Sequence, residues 1–224
     1  MIKKIELLGT EIDNYSVRES MLLVETYLNN NVMNTIESIS MKMLVGAGEN
    51  PKIKEAIESL DLALPGEKDI LFAADVTSSQ RIKEIADNMF FQEFAKRIIR
   101  NRKNVFLLGE THAQVERLQG FLEEFYEKMN IVGEYAMEDC VGDIAGTINE
   151  INIVSPDIIF SVVPSPKQEE FLMEQKEKIG AKLWYGLGDN YMQRTGFDRL
   201  YDGIHKMARR AVFHSKLTKY KKER

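Results

Sequence analysis

The stretch Asn104-Val105-Phe106-Leu107-Leu108-Gly109 decides the fold. Four large apolar residues in a row, closed by glycine, make a strand that is apolar on both faces. Such strands lie inside parallel sheets covered by helices on either side. The downstream chain supports this. A helix is expected from about Ala113 to Met129, then a strand at Ile131-Val132-Gly133-Glu134-Tyr135. A helix over 141–153 leads to a second buried strand, Asp157–Val163. Lys167 to Ile179 reads as a helix and Ala181–Gly186 as the last strand. Short apolar strands alternating with helices indicate parallel βαβ units, and right-handed crossovers then give a doubly wound sheet.

Towards the N-terminus the signals are shorter. Residues 3–8 read as a strand or ribbon. Ser16 is placed to cap a helix running to about Asn29, with Glu19 completing a capping box. Asn50-Pro51 opens a helix through Leu60, with proline in its tolerated first turn. Leu62-Ala63-Leu64-Pro65 is a short strand, and residues 81–101 read as one amphipathic helix. In a doubly wound sheet the ligand crevice lies outside the carboxyl ends of the strands. Segments 64–69, 108–112, 163–169 and 186–192 should therefore meet. The expected architecture is an α/β domain over 1–196, a Rossmann-like parallel sheet flanked by helices, with a short basic helical appendage over 197–224.

Composition narrows the function. The chain has 224 residues, 44% hydrophobic and 29% charged, with a formal net charge of −5, which argues against nucleic-acid binding. Cys140 stands alone, so no internal disulfide forms, in keeping with a reducing cytoplasm. No secretory leader or spanning helix is visible. The tail reverses the charge: Arg194, Arg199, Lys206, Arg209, Arg210, Lys216, Lys219, Lys221, Lys222 and Arg224 face only Asp198, Asp202 and Glu223. An acidic body with a basic tail suits an anionic partner such as phosphate, a membrane surface or nucleic acid, and equally a solvated chain end. No Walker loop, G-x-G-x-x-G, G-x-S-x-G or metal-ligand spacing is present.

Three edge segments resemble one bacterial family, the WecG/TagA/CpsF glycosyltransferases. The strongest match is Ser155-Pro156-Asp157-Ile158-Ile159-Phe160-Ser161-Val162-Val163-Pro164-Ser165-Pro166-Lys167-Gln168-Glu169, close to the family's PDxxFVxxGxPKQE. Val105–Gly109 with Ile131–Tyr135 is the second. Gly186-Leu187-Gly188-Asp189-Asn190-Tyr191, ending at Gly196, is similar in spacing to the family's GVGGSFDxxxG loop. Leu8–Asp13 resembles its first strand and turn. The resemblance implies transfer of a hexose, typically N-acetylmannosamine, from a UDP-sugar to a lipid-pyrophosphate-linked sugar during cell-surface polysaccharide or teichoic acid synthesis. It also implies a protein peripheral on the inner face of the plasma membrane that needs no cofactor or metal.

The chain departs from the family pattern at several motif positions, among them Asp189, which breaks the second glycine pair of the third loop. The family loop P-D-G-x-G carries the proposed general base, but here it reads Pro65-Gly66-Glu67-Lys68-Asp69, which sets Gly66 at the aspartate position. Glu67 could substitute if the loop has slipped; Glu67, Lys68 and Asp69 also read as solvated loop charges. The family's TPN-x-E falls on Ser38-Ile39-Ser40-Met41-Lys42, and its later aspartate on Met192. The catalytic candidates are thus Glu67 and Ser38. Donor-binding candidates are Gly109, Lys167, Gln168, Gly186, Gly188, Asp189 and Asn190. The reasons are that a helix N-terminus attracts anions and that glycine lets a nucleotide come close. Arg209 and Arg210 are the candidates for the acceptor or membrane. Two functions compete: an active UDP-sugar hexosyltransferase, and a catalytically inactive homologue acting as a nucleotide-sugar-binding protein or as a partner subunit in a homo- or hetero-oligomer.

Overall fold

In the computed structural model, residues 3–140, 144–188, 191, 192 and 198–223 are described, of which 198–209 and 223 as backbone only. The chain opens with an antiparallel hairpin, β1 (Lys4–Leu7) and β2 (Thr10–Asp13). Then come α1 (Val17–Asn29), β3 (Asn34–Ile39), α2 (Met41–Glu49), α3 (Pro51–Glu58) and β4 (Leu62–Pro65). Next are α4 (Lys68–Ala73), α5 (Ser79–Ala86), α6 (Met89–Arg100), β5 (Asn104–Gly109), α7 (His112–Phe125) and β6 (Asn130–Ala136). The chain finishes with α8 (Ala145–Val154), β7 (Ile158–Ser161), α9 (Lys167–Gln175), β8 (Leu183–Gly186) and α10 (Asp198–Glu223).

Six strands form one parallel sheet in the order β4-β3-β8-β7-β5-β6. The alternation of strand side chains divides the core. Val105 and Leu107 of β5 point to the layer of α1, α6 and α7, as do Ile158, Phe160, Leu183 and Tyr185. Phe106, Leu108, Ile159 and Trp184 point to the layer of α8 and α9. On the first side Phe90, Phe91 and Phe94 of α6 meet Phe160 and Tyr185 at ring-centroid distances of 5.4 to 6.2 Å. Buried aromatic pairs at such spacing contribute beyond their area. From β5 the chain passes outward to β6 and returns as β7 on the other side of β5. That reversal, with all six strands pointing one way, opens a crevice at Gly109 and Ser161 and extends it to Gly186, Ile39 and Pro65.

Several elements differ from the sequence expectation. The capping box at Ser16 and Glu19 is present, and β4 and β5 span the expected residues. The opening ribbon is a hairpin with β2 as its second arm. The helix expected over 81–101 is two helices, broken where Asn88 takes a left-handed conformation (φ 50°). Strand β3 and helix α4 carried no clear sequence signal. The expected basic helix is α10. Phe213 and Leu217 of α10 are buried with the hairpin, α2 and α4. Arg210 Nη2 bonds Asp69 Oδ2 at 2.7 Å, Lys216 pairs with Glu49, and Tyr220 Oη donates to Glu6 at 2.8 Å. Among the described residues no helix is long and apolar enough to cross a membrane.

Candidate active site

The carboxyl ends of β3, β4 and β8 enclose a small cavity, about 20 Å³, lined by Ser38, Pro65, Gly66, Glu84, Asn88 and Tyr185 among others. Ser38 Oγ lies 3.3 Å from Tyr185 Oη. Burial pushes the Tyr185 phenol far above its ordinary range, so it stays a neutral hydroxyl. Gly66 N–H donates to Ile39 O at 2.8 Å, which pins the loop after β4 to the end of β3. A Cβ at Gly66 would sit 3.0 Å from Ile39 O, so a side chain there requires the backbone at the end of β3 to give by a few tenths of an ångström.

Glu84 reaches this cavity because α5 is turned inside out. Ser78 caps the helix, and its buried residues are Arg81 and Glu84, while Ile82 and Ile85 are only partly covered. The charges are held by bonds. Glu84 Oε2 accepts from Arg81 Nη1 and from Val17 N–H (3.2 Å), and Oε1 accepts from Gln80 Nε2 (3.0 Å). Arg81 Nε donates to Asn14 Oδ1 at 3.2 Å.

The loop candidates are committed elsewhere. Glu67 Oε1 accepts the backbone N–H of Met41 at 3.1 Å, at the start of α2, and Glu67 does not line the cavity at Gly66. Asp69, also buried, holds Arg210 of α10. Glu67 and Asp69 are therefore not the solvated loop charges that their sequence also suggested.

On the opposite face of β3 lies a second polar cluster. The Gln168 amide at the start of α9 donates from Nε2 to Glu37 Oε1. Gly186 leaves the room: a Cβ there would collide with Gln168 Nε2 and lie 3.0 Å from Glu37 Cγ. Burial pushes the Glu37 carboxyl well above the carboxylate range, and the nearby Glu169 pushes it further, with only the Gln168 amide opposing. Glu169 is itself raised by burial. Lys167 Nζ bonds Glu110 Oε1 at 3.0 Å, so the lysine expected at a donor phosphate has an internal partner. Gly109 answers to its own helix: a Cβ there would sit 2.8 Å from Val115 of α7, so its glycine is explained without a nucleotide. Gly188 adopts φ 61° with Ser38 O 3.3 Å from the place of its Cβ. Asp189 and Asn190 lie outside the described residues, as does the side chain of Arg209.

The crevice thus gathers Ser38, Gly66, Gly109, Lys167, Gln168, Gly186 and Gly188 along one sheet edge, with Arg210 reached through Asp69. Sequence reading missed Glu84, Glu37 and Tyr185. Glu84 had a signal: an Arg and a Glu at i, i+3 where the inward stripe of a helix should be. Glu37 had none, since β3 itself was not visible, and Tyr185 read only as an apolar residue of the last strand.

With this geometry in view, comparison with known proteins is specific. The model of the glycosyl transferase WecG/TagA/CpsF family matches residues 5–196. The chain is 22% identical over 187 residues to the N-acetylglucosaminyldiphosphoundecaprenol N-acetyl-beta-D-mannosaminyltransferases of Staphylococcus aureus strains NCTC 8325 / PS 47 and COL. The alignment covers 83% of this chain and 73% of each relative, and strain MRSA252 has a relative that matches to the same extent. A match from the hairpin through the loop after β8 takes in every strand of the sheet and every edge segment of the crevice, and the chain belongs to the WecG/TagA/CpsF glycosyltransferase family.

Proposed function

We propose that this protein transfers an N-acetylhexosamine, of the N-acetylmannosamine type, from a UDP donor to a lipid-diphosphate-linked N-acetylglucosamine at the inner face of the cytoplasmic membrane. The observation that carries the reading is the convergence of the family-matched segments on one crevice. β3, β4, β5, β7 and β8 all end there, and the first turn of α9 opens onto it. The relatives are named for an acceptor of this chemistry.

The donor diphosphate belongs at the start of α9, where the helix dipole favours anions. Lys167 would exchange Glu110 for phosphate. Gln168, fixed by Glu37, would meet the nucleoside or the sugar. Ser38 and Tyr185 supply hydroxyls beside the cavity at Gly66. Arg210, released from Asp69, would meet the acceptor diphosphate, with Arg209 beside it in the chain. Departure of UDP then depends on groups already aimed at the developing charge, which costs no reorganisation during the reaction.

Two measurements test this. UDP or a UDP-sugar at 100 times its dissociation constant should stabilise the fold by about 2.7 kcal/mol. Radiolabelled UDP-N-acetylmannosamine should label a lipid-diphosphate N-acetylglucosamine acceptor in vesicles. Stabilisation without labelling, also with UDP-N-acetylglucosamine, would identify a nucleotide-sugar-binding homologue instead. No stabilisation by any of the three ligands would remove the donor site altogether.

A further inference from the structure

We propose that Glu84 is the general base of the transfer and supplies from α5 the carboxylate that Gly66 lacks; this rests on the transferase reading above. Transfer needs a group that accepts the proton of the acceptor hydroxyl at hydrogen-bond range or through one water. Glycine at 66 offers none. The nearby carboxylates are distinguished by what they touch. Glu67 is bound to the start of α2 and Asp69 to Arg210. Glu37 neighbours Ser38 along β3, so it faces the other side of the sheet. Glu84 lines the cavity with Ser38, Gly66 and Tyr185.

The construction around Glu84 fits the role. The residue is 6% exposed, and the guanidinium of Arg81, itself 1% exposed, provides the counter-charge that a buried carboxylate requires. Its oxygens accept from Arg81, Val17 and Gln80, which fixes the carboxylate where it borders the cavity. The cavity beside Gly66, about 20 Å³, is large enough for one water or a hydroxyl group, since about 10–15 Å³ suffices. In the step itself, the acceptor O–H bond breaks and its proton passes to Glu84. The acceptor oxygen bonds the anomeric carbon, and the bond from that carbon to the diphosphate oxygen breaks with its electron pair leaving on UDP. Glu84 afterwards releases the proton to solvent.

The test is steady-state transfer by the full chain, from pH 5 to 9, for wild type, Glu84→Gln, Glu84→Asp and the double variant Gly66→Asp/Glu84→Gln. Glu84→Gln should lower kcat by about 10²–10⁴-fold with the donor KM nearly unchanged, and should flatten the acid limb of the pH–rate profile. Adding Gly66→Asp should restore at least about tenfold of that loss, a rescue that a merely structural Glu84 would not show. Should the amide variant fail to fold for want of an Arg81 partner, Glu84→Asp keeps the charge and withdraws it by one methylene; kcat should then fall at least about tenfold in a folded protein. An active wild type with both single variants within about twofold of it overturns the assignment and leaves the transferase reading intact. A wild type inactive with UDP-N-acetylmannosamine and UDP-N-acetylglucosamine overturns both.

Discussion

Two carboxylates are buried at the same sheet edge, on opposite faces, and they are held by opposite means. Glu84 lies against a guanidinium and two further donors. Glu37 accepts from the Gln168 amide and has a second carboxyl, Glu169, close by. Burial alone disfavours a charge, and only a nearby cation or several strong donors offset that cost. The Glu84 face is thus built to hold a charge at the cavity. The Glu37 face is built to fix an amide: Oε1 of Glu37 accepts from Nε2 of Gln168, which sets how the amide is turned.

The largest effect expected from this contrast is on Arg81. Arg81→Met keeps the bulk but leaves Glu84 buried without its cation, and should cost about 3–5 kcal/mol in urea unfolding. A loss below about 1 kcal/mol would mean that Val17 and Gln80 suffice, and the two faces would no longer differ in kind.

That pair also marks the limit of what the sequence discloses. Strands β5 and β7 were legible because three or four large apolar residues in a row have few other uses in a chain of this composition. The α1 and α3 starts were legible from Ser16, Glu19 and Asn50-Pro51, whose cap bonds are local. Strand β3 was hidden because Asn34, Thr35, Glu37 and Ser38 are polar, although Asn34, Thr35 and Glu37 are buried. Their partners, Asp61 for Thr35 and Gln168 for Glu37, come from distant parts of the chain and are invisible to local patterns. The break at Asn88 was hidden because the apolar spacing of α5 and α6 continues across it. The family motifs fall at the ends of the strands that border the crevice. Which way each side chain turns is a tertiary matter, and there Lys167, Gln168, Glu67 and Asp69 all have internal partners.

A smaller effect is expected at Gly186. Gly186→Ala places a methyl against Gln168 and Glu37, and because both are buried neither can swing clear without cost. Overpacking of this kind costs about 1–3 kcal/mol. The sharper reading is in ligand binding: the donor KM should rise while kcat with saturating donor changes little, since the cavity at Gly66 lies on the other face. A fall in kcat with KM unchanged would show that the two faces act as one.

The smallest effect, within about 1 kcal/mol near pH 5, is expected for Glu37→Gln, since there an amide replaces a protonated acid of the same shape. Its signature is in pH dependence. The folded chain holds the Glu37 proton more tightly than the unfolded chain does, because burial and Glu169 raise it. Between the ordinary carboxylate range and the raised one, the folded state therefore binds more protons, and stability must fall as pH rises. The stabilisation is fully present below about pH 4.5 and is lost through the folded titration. A single group contributes at most about 1.4 kcal/mol per pH unit. Glu169, raised in the same direction, adds its own fall. Urea midpoints from pH 5 to 8 should decline for the wild type, and less steeply for Glu37→Gln, which keeps only the Glu169 share. Equal slopes would place the wild-type proton elsewhere and remove the distinction between a face that fixes an amide and a face that holds a charge.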